Sequence, residues 1–263
     1  MKGPLLQNDK DAEKKVREVR VSILGIGVDR LTLEQAKKTI RDRWGSNTGV
    51  FHVVTANAEM IYHGSGDREL ARVIKKAGMV TADGAGVVLA ARILGCPVPE
   101  RVAGYDLMIE CLQEAACSGA PVYFLGAQPQ VLGQAVERAL KRFPGLNIAG
   151  SHHGYFHEDD EEDIVREIHA LKPCLLLVAL GVPKQEKWIF RYREKLPPCA
   201  VIGVGGSFDV LAGKLTRAPG WMQRAGLEWL YRLAKEPARI GRAAVLPAFL
   251  LQVFLQALHI KRY

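Results

Sequence analysis

The strongest constraint in this chain is an alternation: short apolar runs rich in β-branched residues, each followed by a longer stretch with helical spacing. The runs are VSILGIGV (21–28), FHVVTAN (51–57), VYFLGA (122–127), LLLVALG (175–181) and AVIGVGG (200–206). They are short and do not alternate apolar with polar, which is the pattern of strands buried on both faces of a mostly parallel sheet. The stretches between them carry helix start signals. Thr32 precedes LEQAKKTIRDRW with Gln35 placed for a capping box, and Asp160 precedes EEDIVREIHALK with Asp163 in the equivalent place. Parallel strands need crossovers and helices supply them, so this order, without any repeat, predicts a single α/β core.

The alternation stops after about Gly206. From Lys214 onward only helical sequence remains, broken at Pro219, Pro237 and Pro247. Lys214, Arg217, Arg224, Arg232, Lys235, Arg239, Arg242, Lys261 and Arg262 face only Glu228 and Glu236, so this tail carries most of the net charge of +8. Trp221, Trp229, Tyr231, Phe249 and Phe254 are interleaved with them, and the apolar AVLPAFLLQVFLQAL follows. Basic helices with aromatics suit an anionic membrane surface; the other reading is a helical cap on the sheet with solvated basic residues. The expected organisation is a flexible leader at 1–18, an α/β catalytic core at 19–212 and a helical, membrane-facing appendage at 213–263. The polar N-terminus lacks the apolar stretch of a signal peptide, and no uncharged apolar run reaches the roughly 18 residues of a spanning helix. The five cysteines have neither metal-ligand nor CxxC spacing and read as reduced core thiols. Together these features predict a cytoplasmic protein, peripheral at the inner face of the cell membrane.

Several segments can carry chemistry. GIGVD (25–29) does not continue as GxGxxG, which weakens a dinucleotide reading. FLGAQPQ, with Gly126, and GVGGSFD each follow a run and precede a helix pattern, where backbone N–H groups can face a phosphate. The same turns also need glycine simply to be tight. Asp83 stands where a short apolar run hands over to DGAGVV, and two roles are open to it: helix N-cap or general base. Thr55 and Asn57 end another run and can bind substrate nearby. Arg101, in ERVAGYDLM, can grip an anionic diphosphate or lie at the surface. In GVPKQEKWI, Gly181 and Pro183 shape a turn, and the Gln185 amide suits recognition of a sugar hydroxyl. The acidic run HEDDEED (157–163) opens a helix, where its charge complements the helix dipole, and His152 and His153 lack partners at ligand spacing. No catalytic metal and no cofactor is expected.

Taken in order, TANAEM, TADGAGVVLAARILG, ERVAGYDLM, YFLGAQP, GVPKQEKWI and VGGSFDVLAGKLTRAPGWMQRAGLEWLYRLAKEPARIGR resemble the WecG/TagA/CpsF family of bacterial glycosyltransferases, glycosyltransferase family 26. The resemblance runs from about Val21 to Arg242. It implies a Rossmann-like α/β core, different in topology from the two common glycosyltransferase folds, with a C-terminal appendage that closes over the active site and docks at the membrane. It implies that Asp83 is the catalytic base of an inverting, metal-independent transfer from a UDP-sugar donor to a lipid-diphosphate-linked sugar acceptor. Thr55, Asn57 and Gln185 would hold the sugars, Arg101 anionic groups, and Arg232, Arg239 and Arg242 diphosphate charge. The branch it resembles most moves N-acetylmannosamine onto undecaprenyl-diphosphate-linked N-acetylglucosamine in wall teichoic acid synthesis; relatives use N-acetylmannosaminuronate or other sugars. Self-association or membrane contact to order the appendage is a further implication. Against this stand an NAD-dependent oxidoreductase, which the incomplete glycine motif disfavours, a nucleic-acid-binding module using the basic tail, and a non-catalytic membrane scaffold.

Overall fold

The computed structural model describes residues 20–235 and 244–258, with the side chain of Arg232 excepted. The leader at 1–18, Arg239, Arg242, Lys261 and Arg262 lie outside the described residues. The chain opens with β1 (Arg20–Ile23) and β2 (Ile26–Asp29), followed by α1 (Leu33–Arg41), β3 (Phe51–Ala56), α2 (Ala58–Gly66), α3 (Arg68–Lys75) and β4 (Met79–Ala82). Next come α4 (Ala85–Ile93), α5 (Gly104–Ser118), β5 (Val122–Gly126), α6 (Pro129–Arg142), β6 (Ile148–His152) and, after a 3-10 turn at Glu158–Asp160, α7 (Glu161–Leu171). The order closes with β7 (Leu175–Ala179), α8 (Lys184–Tyr192), β8 (Ala200–Gly203), α9 (Ser207–Leu211), α10 (Gly220–Arg224), α11 (Glu228–Lys235) and α12 (Val245–Ala257).

The main sheet is six-stranded, in the order β4-β3-β8-β7-β5-β6, and every neighbouring pair is parallel. Its strands are buried on both faces, as the unbroken apolar runs require. Phe51 and Val53 of β3 belong to the core under α1, α5 and α6, whereas Val54 and Ala56 belong to the opposite core under α2, α3 and α4. In β5, Phe124 packs on the first side and Leu125 on a third cluster with α7 and α8. This is the Rossmann-like α/β arrangement expected from the sequence.

One run departs from expectation. VSILGIGV is not a strand of the parallel sheet: Leu24 and Gly25 (φ 49° and 82°) turn it into the antiparallel hairpin β1–β2. Two consecutive residues with positive φ match the turn that right-twisted hairpins prefer. The hairpin covers the edge of the sheet at β4. Asp29 pairs with Arg20 at 2.6 Å and accepts the Val80 N–H at 2.6 Å, an edge-strand donor that would otherwise lack a partner. The glycine turn at 25–27 therefore lies away from the strand ends where a dinucleotide would bind.

Local signals fared unevenly. The capping box at Thr32 and Gln35 forms in both directions, at 3.2 and 2.9 Å. Asp160 does not cap α7; its carboxylate turns back to the His157 N–H at 2.9 Å. Pro247 does not break α12, because it sits in the first turn, where its missing N–H costs no hydrogen bond. Cys111 and Cys199 are core thiols, but Cys96 and Cys117 are exposed. Phe249 is a core residue beside α2 and α4, not an interfacial aromatic, while Trp221, Trp229 and Phe254 are exposed. Gln256 fastens α12 to the hairpin: its side chain accepts from Leu24 N–H and donates to Ser22 O, both at 2.9 Å.

Candidate active site

A pocket of about 350 Å³ lies over the carboxyl ends of four adjacent strands, β4, β3, β8 and β7. In a parallel sheet every strand delivers its next residue at the same edge, and the following helix presents its N-terminus there. Thr55 and Asn57 arrive from β3, Asp83 from β4, Gly181 and Gln185 from β7, and Val204 to Ser207 from β8. Arg101 lines the same pocket from the segment before α5. Six sequence-predicted residues thus meet in one cavity, although they span more than a hundred positions.

Asp83 follows β4 directly, and its N–H continues the ladder to Ala56 O at 2.8 Å. It does not cap the helix that follows, whose N-cap is Gly84. Its carboxylate instead accepts the Gly104 N–H, at 3.3 Å, from the first turn of α5. This long bond orients the group while leaving it half-exposed to the pocket. Asn57 caps α2 through Oδ1, which accepts the Met60 N–H at 2.8 Å. The Thr55 hydroxyl donates to Gly203 O at 2.8 Å, so its lone pairs are what it can offer a ligand.

Gln185 is nearly fully buried, and both ends of its amide are engaged. Oε1 accepts the Gly205 N–H at 3.0 Å, and Nε2 donates to Glu186 Oε1 at 2.7 Å. Its first task is to pin the glycine loop after β8; one N–H and one lone pair remain for a sugar hydroxyl. Glu186 lies beneath, against Gly203, where an added Cβ would come within 2.6 Å of Gln185 Nε2. Burial pushes the Glu186 carboxyl up to about 7, against the opposing effect of the Gln185 hydrogen bond, and Oε2 has no partner. The sequence reading missed Glu186. Gln185, Trp188, Ile189 and Tyr192, all buried at helical spacing, are the signal that α8 sinks this face into the core.

The pocket's charged lip was only partly foreseen. Arg101 donates to Glu228 Oε2 at 2.8 Å and stands 3.6 Å from Asp106 Oδ2. Arg217 forms a fork with both Asp106 oxygens and also reaches Glu228 Oε2 at 3.4 Å. Tyr105 lies under the Arg217 guanidinium, 4.9 Å from its ring centre. Apart from Arg101 and Asp106, which share one segment, these partners are 11 to 127 positions apart, so no local pattern announces the cluster. Trp229, Leu233 and Leu246, from α11 and α12, complete the wall together with Val182.

Gly126 is not among the residues lining this pocket. It has φ 123°, and an added Cβ would fall 2.4 Å from Ala179 O, so the turn after β5 requires glycine for close approach to β7. His152 and His153 line a separate, shallower cavity with Pro129 and Leu132.

Comparison with known proteins places the sequence in a family. The sequence profile of the Glycosyl transferase WecG/TagA/CpsF family matches residues 21–263. A protein of Bacillus spizizenii named N-acetylglucosaminyldiphosphoundecaprenol N-acetyl-beta-D-mannosaminyltransferase is 38% identical over 207 residues, 79% of each chain. Proteins of the same name from Staphylococcus aureus strains MW2 and MRSA252 are 34% and 35% identical, over 92% of this chain and 94% of theirs. With the match extending from the hairpin to the last residue of the chain, the protein belongs to the WecG/TagA/CpsF family of glycosyltransferases.

Proposed function

We propose that this glycosyltransferase moves N-acetylmannosamine from UDP-N-acetylmannosamine to undecaprenyl-diphosphate-N-acetylglucosamine, forming the linkage unit of wall teichoic acid, with inversion at the transferred sugar. The relatives carry this activity in their names. The observation that carries the reading to the site is the gathering of Asp83, Thr55, Asn57, Arg101 and Gln185 in one pocket at the strand ends.

In this reading Asp83 removes the proton from the acceptor hydroxyl as that oxygen attacks the anomeric carbon, and UDP leaves from the opposite side. One displacement inverts the stereochemistry. Thr55, Asn57 and Gln185 hold sugar hydroxyls or amides around the reacting carbon. The N-termini of α2, α4, α5 and α8 converge on the pocket and favour negative charge there. Arg101, with Arg232, Arg239 and Arg242 of the appendage, neutralises diphosphate and takes the place a metal ion would fill in other transferases. Gly181 keeps the turn before α8 open to the ligand.

The appendage also brings the enzyme to its lipid acceptor. Among the described residues no helix is long and apolar enough to cross a membrane. Trp221 on α10, Leu251 and Phe254 on α12, and Leu258 just after it are nevertheless exposed, and they suit shallow insertion at an anionic surface, at the inner face of the cell membrane.

The test is release of UDP from UDP-N-acetylmannosamine with a lipid-diphosphate-N-acetylglucosamine analogue, in EDTA, for wild type and Asp83→Asn. Wild type should turn over in EDTA, and the variant should lose about 10²- to 10⁴-fold in kcat with an unchanged melting temperature. Release only from another donor, such as UDP-N-acetylmannosaminuronate, would move the substrate within the family. Acceptor-independent behaviour, or an Asp83→Asn enzyme as fast as wild type, would remove Asp83 from the base role.

A further inference from the structure

The charged lip of the pocket has an arrangement that simple structural ion pairing does not explain. Two guanidiniums, on Arg101 NH1 and Arg217 NH2, point at one oxygen, Glu228 Oε2, at 2.8 and 3.4 Å. We propose that Arg217 is a further diphosphate-binding residue of this site, paired with Arg101, and that Glu228 is an internal carboxylate holding that place until the substrate diphosphate displaces it. The inference rests on the glycosyltransferase reading above and adds to it a binding residue and a displaced group.

Arg217 is preorganised for such a role. Asp106 holds it through both carboxylate oxygens, which fixes the plane of the guanidinium, and the Tyr105 ring supports it at 4.9 Å. Its Nε is buried and has no acceptor, so donor capacity remains unspent. A planar guanidinium so held is suited to recognise phosphate oxygens in a forked geometry, which a single carboxylate oxygen shared by two arginines satisfies poorly. The side chains of Arg101, Arg217 and Glu228 are only 20%, 16% and 10% exposed, and at that depth desolvation offsets much of the attraction between partners. As a stability device the quartet returns little. As a waiting anion site it keeps two cations charged, aligned and neutralised.

The two halves of the arrangement ride on different parts of the chain. Arg101 lies in the core segment between α4 and α5, whereas Glu228 is the first residue of α11, in the appendage. A diphosphate carries more charge and more acceptor oxygens than one carboxylate, so it replaces Glu228 with a net gain in donor–acceptor pairing. Occupancy of the site and the seating of α11 are then coupled, because the group that leaves Arg101 is borne by that helix.

Titration calorimetry of the full chain with UDP, and with uridine as a phosphate-free control, tests the inference on wild type, Arg217→Gln, Arg217→Lys and Glu228→Gln. Arg217→Gln should weaken UDP binding at least tenfold, and Arg217→Lys should recover only part of that loss. Glu228→Gln should tighten UDP binding several-fold, an effect that a merely structural glutamate would not produce. Uridine binding should be unmoved in all three. If Arg217→Gln fails to fold, Arg217→Lys and Glu228→Gln still decide the matter. Wild type that binds UDP while Glu228→Gln binds it no tighter, or while the Arg217 variants match wild type, would overturn the inference alone. Wild type that binds no UDP would overturn the functional reading and the inference with it.

Discussion

Glu186 shows how much a single buried carboxyl can shape the behaviour of this protein. It is fully buried on α8, under the pocket floor, with one oxygen on the Gln185 amide and the other without a partner. With burial raising its value from 4.5 to about 7, the folded state keeps a proton that the unfolded chain has already lost. Below the ordinary carboxylate range both states hold the proton and no stability depends on it. Between that range and about pH 7 only the folded state binds it, so stability falls as pH rises; above about 7 the loss is complete. Glu186→Gln should therefore match wild type at acid pH and exceed it by up to about 3 kcal/mol at pH 8, measured by urea unfolding across that range. At the same scale Asp83 is oriented by a tertiary contact to Gly104 and not by the helix next to it. The sequence marked Asp83, Thr55, Asn57, Arg101 and Gln185 because each ends an apolar run or opens a helix. Asp106 carries no such mark, because its role depends on Arg217 far along the chain, and Glu186 is signalled only by the apolar helical spacing of α8 around it.

Elements in this fold are legible in proportion to how local their causes are. The Thr32 capping box lies within the single turn from Thr32 to Gln35 and forms as its spacing demands. The hairpin β1–β2 was hidden inside a single apolar run, since Leu24 at positive φ is an uncommon choice that only the packed context supports. Strand β6 was overlooked because IAGSH has little β-branched character and lies at the sheet edge, where burial is partial. The clearest case is α12. Its sequence is apolar nearly all round, which cannot distinguish a membrane-facing helix from a core one. Its fixed side is set by Phe249 and Val253 in the core and by Gln256 on the hairpin backbone. Gln256→Ala should cost about 0.5–1.5 kcal/mol in thermal or urea unfolding, because it removes the bonds to the part-buried Leu24 N–H and the exposed Ser22 carbonyl. A shift below a few tenths of a kcal/mol would show that α12 is held by its apolar face alone.

At the scale of the whole molecule, the parallel sheet gathers one end of every strand at one edge, and the appendage folds back over that edge through Glu228, Trp229, Leu233 and Leu246. Elsewhere on the appendage Trp221 of α10, Leu251 and Phe254 of α12, and Leu258 just after it are exposed to solvent. Vesicle co-sedimentation should show binding that rises with anionic lipid content and falls as salt screens the basic residues. Replacing Trp221 and Phe254 with serine should weaken it at least several-fold without lowering activity on a soluble acceptor. Wild type that binds no vesicles would remove the membrane role, and binding that survives both the substitutions and high salt would remove these residues and the basic charge from it; concentration-dependent dimerisation without lipid would assign the exposed residues to self-association instead. The sequence by itself determined the α/β class and the family, and it marked Thr55, Asn57, Asp83, Arg101, Gly181 and Gln185 among the residues that meet in the pocket. Periodicity, β-branching and strand-end position are local properties, and a family's spaced motifs can be read without coordinates. Tertiary structure alone decided that Asp83 takes its orienting bond from α5, that Gln185 rests on a buried acid, and that Arg101 and Arg217 converge on Glu228. Asp83 and Gly104, and Arg101 and Glu228, are far apart in the chain, and although Gln185 and Glu186 are neighbours their bond matters because it is buried; burial and distance are what no local pattern encodes.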